Sequence, residues 1–185
     1  MFVLGHIGIG RTLLGPSRWK IPAAAFVAGA LLPDIVDKSL YYSHLTRYAT
    51  STRTFGHTGL FLCAIAAIVA LRRSRAWGAV AIGVATHLAL DGLVDLFTPE
   101  PSSAWIALTW PFLHARFAAA YFRTPLDQLG ELATPAILIS EIAGGLLLVR
   151  DYRISRRRAA LPEHPEPRPD RAGSVGTVPV VERDE

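Results

Sequence analysis

The chain is 185 residues long, 51% hydrophobic and 18% charged, with a mean hydropathy of +0.31 and a formal net charge of +4. One domain is expected at this length, and the excess of apolar over charged residues argues for a membrane rather than an ordinary soluble protein. Cys63 is the single cysteine, which excludes a disulfide framework and a thiolate metal site, so any metal must be held by histidine and carboxylate.

The N-terminal MFVLGHIGIG has no basic residue ahead of its apolar run and no small-residue cleavage site after it, so it reads as part of the fold and not as a cleaved signal. Residues 2–14 form a weak candidate for a membrane-crossing segment and carry His6. Residues 21–33, IPAAAFVAGALLP, are more strongly apolar and lead into Asp34 and Asp37. His57 opens the next stretch, 58–71 (TGLFLCAIAAIVAL). Residues 76–97, AWGAVAIGVATHLALDGLVDLF, hold His87, Asp91 and Asp95, and residues 132–149, LATPAILISEIAGGLLLV, hold Glu141. At 1.5 Å per residue the last two can cross about 30 Å of hydrocarbon, whereas 21–33 and 58–71 need their flanks. The expected fold is all-α, a polytopic membrane bundle of four to five helices over residues 1–158. Beyond it, LPEHPEPRPDRAGSVGTVPVVERDE is too rich in proline and charge to bury a core, so residues 159–185 are expected to be a disordered cytoplasmic tail.

Positive charge sets the expected orientation. Arg11, Arg18, Lys20, Arg72, Arg73, Arg75, Arg150, Arg153 and Arg156 to Arg158 fall on one side of this topology, against Lys38, Arg47, Arg53, Arg116 and Arg123 on the other. Basic residues favour the cytoplasmic face, so loops 34–56 and 98–131 should be outside and the C-terminus inside, in the inner or plasma membrane. The cations collect at span ends instead of forming one stripe with interleaved aromatics, which makes nucleic acid an unnecessary partner. Trp105, Trp110, Phe112, Phe117, Tyr121 and Phe122 crowd the 98–131 segment as in a headgroup-level belt. Tyr41 and Tyr42 read the same way, as belt and not as a substrate cage.

A carboxylate at a bilayer centre costs roughly 3 kcal/mol, so acidic residues in such segments need compensation. His87 and Asp91 are four apart on one helical face, with Asp95 a further turn outward, and Asp34 and Asp37 are three apart if their helix continues past Pro33. With His57, three helices then present histidine and aspartate to the outer half of the membrane, and His6 joins them if the N-terminal helix starts outside. Imidazole and carboxylate together suit a divalent metal: zinc is the default for hydrolysis, and manganese or iron also fit. Six candidate ligands, His6, Asp34, Asp37, His57, His87 and Asp91, leave open two metals, or one metal with carboxylates that orient the histidines.

The ordered blocks Gly5-His6, GALLPDIVDK at 29–38, RTFGHTGLF at 53–61, THLALD at 86–91, and Thr98-Pro99 followed by WPF at 110–112 resemble the prokaryotic membrane-bound metal-dependent hydrolase family. That family looks distantly similar to zinc-dependent phospholipases C. The resemblance covers residues 5–112 and implies His6, Asp34, Asp37, His57, His87 and Asp91 as metal residues, with Arg53 anchoring an anionic substrate group. This chain departs from other members in placing Asp37 one position later, in having Lys38 where a histidine can follow, and in reading Gly56-His57-Thr58.

The functional expectation is a membrane-bound metal-dependent hydrolase acting on a phosphate-bearing or lipid-linked ester, with membrane lipid or a lipid-linked substrate as partner. Asp37 or Asp91 accepts a proton from metal-activated water, and Arg53 steadies the transferring anion. The rival is a non-catalytic protein using the same cluster to bind or carry a metal ion or proton. A third reading is a bundle held by interhelical hydrogen bonds. Asp95 reads as a solvated residue at a helix end. Glu141 reads as a structural hydrogen bond to a neighbouring helix, helped by close approach at Gly144 and Gly145, or as a further carboxylate of the site. His44, His114 and His164 read as solvated.

Overall fold

The computed structural model describes residues 3–97, 103–119 and 124–160. Of the expected disordered tail 159–185, Ala159 and Ala160 are helical instead, and the rest, with His164, lies outside the described residues, as do Thr98, Pro99, Tyr121, Phe122 and Arg123. Among the described residues the regular structure is all helical: α1 (Val3–Leu13), α2 (Ala23–Ser43), α3 (Gly59–Arg72), α4 (Arg75–Asp95), α5 (Ser103–Thr109), α6 (Pro125–Leu129) and α7 (Pro135–Ala160). Three 3-10 turns, Gly15–Trp19, Phe55–His57 and Gly130–Ala133, interrupt the connections. The seven helices exceed the expected four to five because the segment 98–131 contributes α5 and α6.

By length and composition α4 is the one described helix long and apolar enough to cross a membrane, and α3 is apolar but shorter. Helices α2 and α7 have 21 and 26 residues but carry Asp34, Asp37 and Lys38, and Glu141, Arg150 and Asp151, respectively. The apolar segment expected to end at Pro33 runs on to Ser43 as helix. Pro33 gives up the hydrogen bond to the Gly29 carbonyl and crowds that turn. One residue along, the Ala30 carbonyl accepts a hydrogen bond from His87 Nδ1 at 2.6 Å, so the disturbed turn finds a partner on α4.

Sequence punctuation fixes the α3–α4 hairpin. Arg73 ends α3 in the left-handed region at φ 46°, and Ser74 caps α4 by accepting the Ala76 N–H. Thr58 caps α3, its hydroxyl accepting the Phe61 N–H at 3.0 Å.

Helix α2 packs against α4 through small residues. A Cβ on Gly29 would stand 2.1 Å from the Val80 carbonyl oxygen, and one on Gly83 would stand 2.4 Å from that of Phe26. Only glycine allows the two backbones this close, as in small-residue helix contacts of membrane proteins. Phe26, Ala30 and Ala79 fill one core cluster with Ile7, while Val84 and Leu88 meet Ile65 in a second. Helix α1 lies mainly against α7 across a similar seam, where Gly8 meets the Gly144 backbone and Gly144 meets that of Leu4. At the other end of this pair Arg18 reaches Asp151 at 3.1 Å. The remaining surfaces are apolar: Ile65 is the buried residue of α3, and Leu71 of α3 and Ile139 and Leu146 of α7 are 83%, 66% and 65% exposed.

Candidate functional site

Four pieces of chain converge. His6 comes from α1, Asp34 and Asp37 from α2, His57 from the 3-10 turn before α3, and His87 and Asp91 from α4. His6, Asp37, His57, His87 and Asp91 are buried, and Asp34 is partly exposed. The His6 and His87 rings stack at 3.9 Å between centroids, and His57 meets His87 edge-on at 5.1 Å. His57 Nε2 lies 3.1 Å from His87 Nε2, 3.4 Å from Asp91 Oδ2 and 3.8 Å from Asp34 Oδ1. His87 Nε2 lies 3.8 Å from Asp91 Oδ2 and 4.0 Å from Asp34 Oδ1, and His6 Nε2 is 3.1 Å from Asp91 Oδ1. Two triads have ligand-type atoms within 4.8 Å of one another: His6, His87 and Asp91, and Asp34, His57 and His87. His87 belongs to both.

Hydrogen bonds behind the rings decide which nitrogens face inward. A carboxylate or carbonyl oxygen only accepts, so His57 Nδ1 donates to Asp37 Oδ2 at 2.7 Å and His87 Nδ1 donates to the Ala30 carbonyl. Both Nε2 atoms are thereby turned to the cluster, the arrangement by which outer partners orient metal-binding histidines. Burial disfavours a charge on His57, but its hydrogen bonds to Asp37 and Asp91 outweigh this and raise its pKa to about 9.

Asp37 sits behind His57 and does not face the cluster's centre. Its Oδ2 accepts the Thr54 N–H at 2.6 Å as well as His57, and its Oδ1 accepts the Gly56 N–H at 2.8 Å and the Thr54 hydroxyl at 3.0 Å. With four donors on two oxygens it has no lone pair directed at a shared ion or at water. The expectation that Asp37 is a ligand and proton acceptor is corrected to that of a carboxylate holding His57 and its turn. Arg53, expected to anchor a substrate anion, lies among carboxylates. Its Nε meets Asp91 Oδ2 at 3.0 Å, and its Nη1 meets Asp95 Oδ1 at 3.0 Å and the Ser103 hydroxyl at 3.1 Å, so the guanidinium is spent on the protein's own carboxylates. Burial works against its charge, but Asp91 and Asp95 more than offset this and raise its pKa. Asp95, expected to be solvated, is buried between Arg53 and the Ala104 N–H, which tethers α5 to α4. Lys38 binds Asp34 Oδ2 at 2.8 Å. Sequence reading missed Thr54, the Gly56 N–H, the Ala30 carbonyl and Ser103; the backbone partners leave no signal in residue identity.

Glu141 lies on the α1–α7 seam, its two oxygens accepting the Leu4 and Gly5 N–H groups at 2.9 Å each. These are among the first N–H groups of α1, which have no partner within their own helix. The expected structural hydrogen bond is what the structure contains, beside the close approach at Gly144. Glu141→Ala should therefore destabilise the fold by about 1–2 kcal/mol, as loss of an N-terminal cap does. An unchanged melting temperature in detergent would return Glu141 to the list of site carboxylates.

No curated protein and no solved structure gives a significant match to the chain. The family model described as YdjM inner membrane protein matches residues 1–156, most of the chain, and the chain belongs to that family.

Proposed function

We propose that this member of an inner membrane protein family is a multi-pass, metal-dependent hydrolase whose cation is held by ligands drawn from His6, Asp34, His57, His87 and Asp91, with His87 common to both triads. The observation that carries the reading is the spacing of these groups. Ligands at about 2.0–2.1 Å from a tetrahedral ion stand about 3.3 Å from one another, and six of the pairs among these groups lie 3.1 to 4.0 Å apart. Charge supports it as well. Among the described residues Asp34, Asp91 and Asp95 pair with Lys38 and Arg53, and a divalent ion that displaced the proton on His57 would balance the carboxylate charge that remains. The donor set suits zinc, and manganese or iron also fit.

When bound, a divalent cation would supply water of lowered pKa and polarise a phosphoryl or acyl oxygen. Asp37 and the Ala30 carbonyl fix the two histidines, and Arg53 holds Asp91 in place. Asp34 is the most exposed carboxylate of the set, at 17% for its side chain, so it faces the open side. The substrate class is a phosphate-bearing or lipid-linked ester. The rival, an ion carrier, needs a continuation of ionisable groups across the bundle, and Glu141 is tied to the start of α1. Zinc-dependent cleavage of a chromogenic phosphate ester or a phospholipid, abolished by a chelator and restored by zinc, is the expected result with detergent-purified protein. Retained metal without cleavage of either would transfer the site to the non-catalytic reading.

The exposed apolar faces of α3 and α7 support a lipid environment on more helices than α4 alone. The basic residues at the Ser74 turn and along the end of α7 favour a cytoplasmic position for these ends. In a Cys63→Ser background, Leu45→Cys should be labelled by an impermeant thiol reagent from outside the inner membrane and Ser74→Cys should not. The opposite pattern would invert the topology.

A further inference from the structure

Beside the candidate metal site lies a cavity of about 750 Å³ whose lining includes Arg47, Tyr48, Phe55, Trp110, Arg116 and Phe117. Its size is that of a small-molecule pocket, roughly 300–1,000 Å³. The two ends of its lining differ in chemistry. Phe55, Trp110 and Phe117 form a mutually packed aromatic wall, with ring centroids 5.0 to 5.8 Å apart. Arg47 and Arg116 supply two positive charges, and the lining contains no carboxylate. Among the described residues neither arginine pairs with one: Arg47 stacks on the Tyr48 ring at 5.0 Å and donates to its hydroxyl at 2.9 Å.

The cavity is mechanically joined to the metal site. Phe55 and His57 are the two ends of one 3-10 turn, about 4 Å apart along its axis. That turn is pinned to Asp37 through Thr54 and Gly56. On the other side the Thr50 hydroxyl donates to the Ala118 carbonyl at 3.2 Å, which draws the 44–54 loop and the segment carrying Phe117 together. Phe112 and Leu113 continue the apolar surface and are 78% and 74% exposed.

We propose that this cavity binds a phosphate-bearing lipid, its phosphate between Arg47 and Arg116 and its apolar chain along Phe55, Trp110 and Phe117. The assignment rests on the hydrolase reading for its purpose, since it names the substrate class that would be held next to His57. It differs from the expectation that Trp110 and Phe117 belong to an interfacial belt. Two guanidiniums on one cavity lining suit a phosphate, and the aromatic wall of the same cavity suits an apolar companion to that anion, which free phosphate lacks.

The test is binding by the purified full-length protein to three probes: a short-chain phosphatidic acid, inorganic phosphate and the corresponding diacylglycerol. Phosphatidic acid should bind at least tenfold more tightly than either of the others. Arg47→Ala/Arg116→Ala should weaken it by tenfold or more, and Trp110→Ala should weaken it too. The double variant removes exposed side chains, so it separates lost binding from lost folding. Equal binding of phosphate and phosphatidic acid would reduce the cavity to an anion site. Phosphatidic acid binding that neither variant alters would place the lipid elsewhere, and either result overturns the proposal. Metal content, measured on the same samples, reports the hydrolase reading separately. A lipid-binding protein without metal would sink that reading alone, and a metal-bearing protein indifferent to the probes would sink this one.

Discussion

His87→Ala is expected to strip the protein of its metal. His87 is shared by both triads of candidate ligands, and its ring is fixed from behind by the Ala30 carbonyl and from the side by the stacked His6 ring. Losing an outer partner of a metal-bound histidine costs about 10- to 100-fold in affinity, and losing the histidine itself should cost more. Elemental analysis of detergent-purified protein should find stoichiometric zinc, manganese or iron in the wild type and less than about a tenth of it in the variant. Asp34→Ala, which removes the more exposed ligand and leaves the buried packing alone, should lower the content as well. Size-exclusion profiles of wild type and both variants exclude gross unfolding as the cause. If wild type and variants carry the same amount of metal, or none, the cluster is a hydrogen-bonded girder and the hydrolase proposal fails.

The second large effect belongs to Asp37. Replacing it with alanine leaves the Thr54 and Gly56 N–H groups, the Thr54 hydroxyl and His57 Nδ1 without their acceptor in a fully buried place. Removing one partner of a buried charged pair typically costs 3–5 kcal/mol, because the groups left behind can no longer be solvated. Asp37→Ala should therefore unfold at a clearly lower temperature, or fail to accumulate. Asp37→Asn keeps the shape but brings an N–H₂ to a position surrounded by donors, so it should retain the fold with lower stability. That milder variant should also bind metal about 10- to 100-fold more weakly, since His57 loses the carboxylate that orients it. An Asp37→Asn protein with unchanged metal affinity would show that the orientation of His57 does not matter.

Much of this was written in residue spacing. His87 and Asp91 at four apart had to share a face of one helix, and an acidic residue within an apolar run had to find a partner, so the site's existence and most of its members were legible. Roles were less so. Asp34 and Asp37 look alike in sequence, yet Asp34 is partly exposed beside Lys38 and Asp37 is buried under a loop; the difference lies in the path of residues 44–54, which no periodicity encodes. Arg53 was legible as a cation near the site, but its pairing with Asp91 and Asp95 depends on contacts across 38 and 42 residues. In the fold, Pro33 marked a break that the chain does not take, because tertiary contacts with α4 absorb the disturbed turn. The helical segments were visible as apolar runs, while α5 was hidden in a segment whose aromatics dominated its reading.

The glycine seams divide the bundle unequally. Helices α2, α3 and α4 are consecutive, and with their connections they carry every proposed ligand except His6, whereas α1 leans on α7, the last of the described helices in chain order. During translation the histidine nearest the start must wait, its helix unsupported at Leu4 and Gly5, until the ribosome has delivered Glu141. The full ligand set would then assemble only after α7 has docked, so an incomplete nascent chain would lack the finished centre.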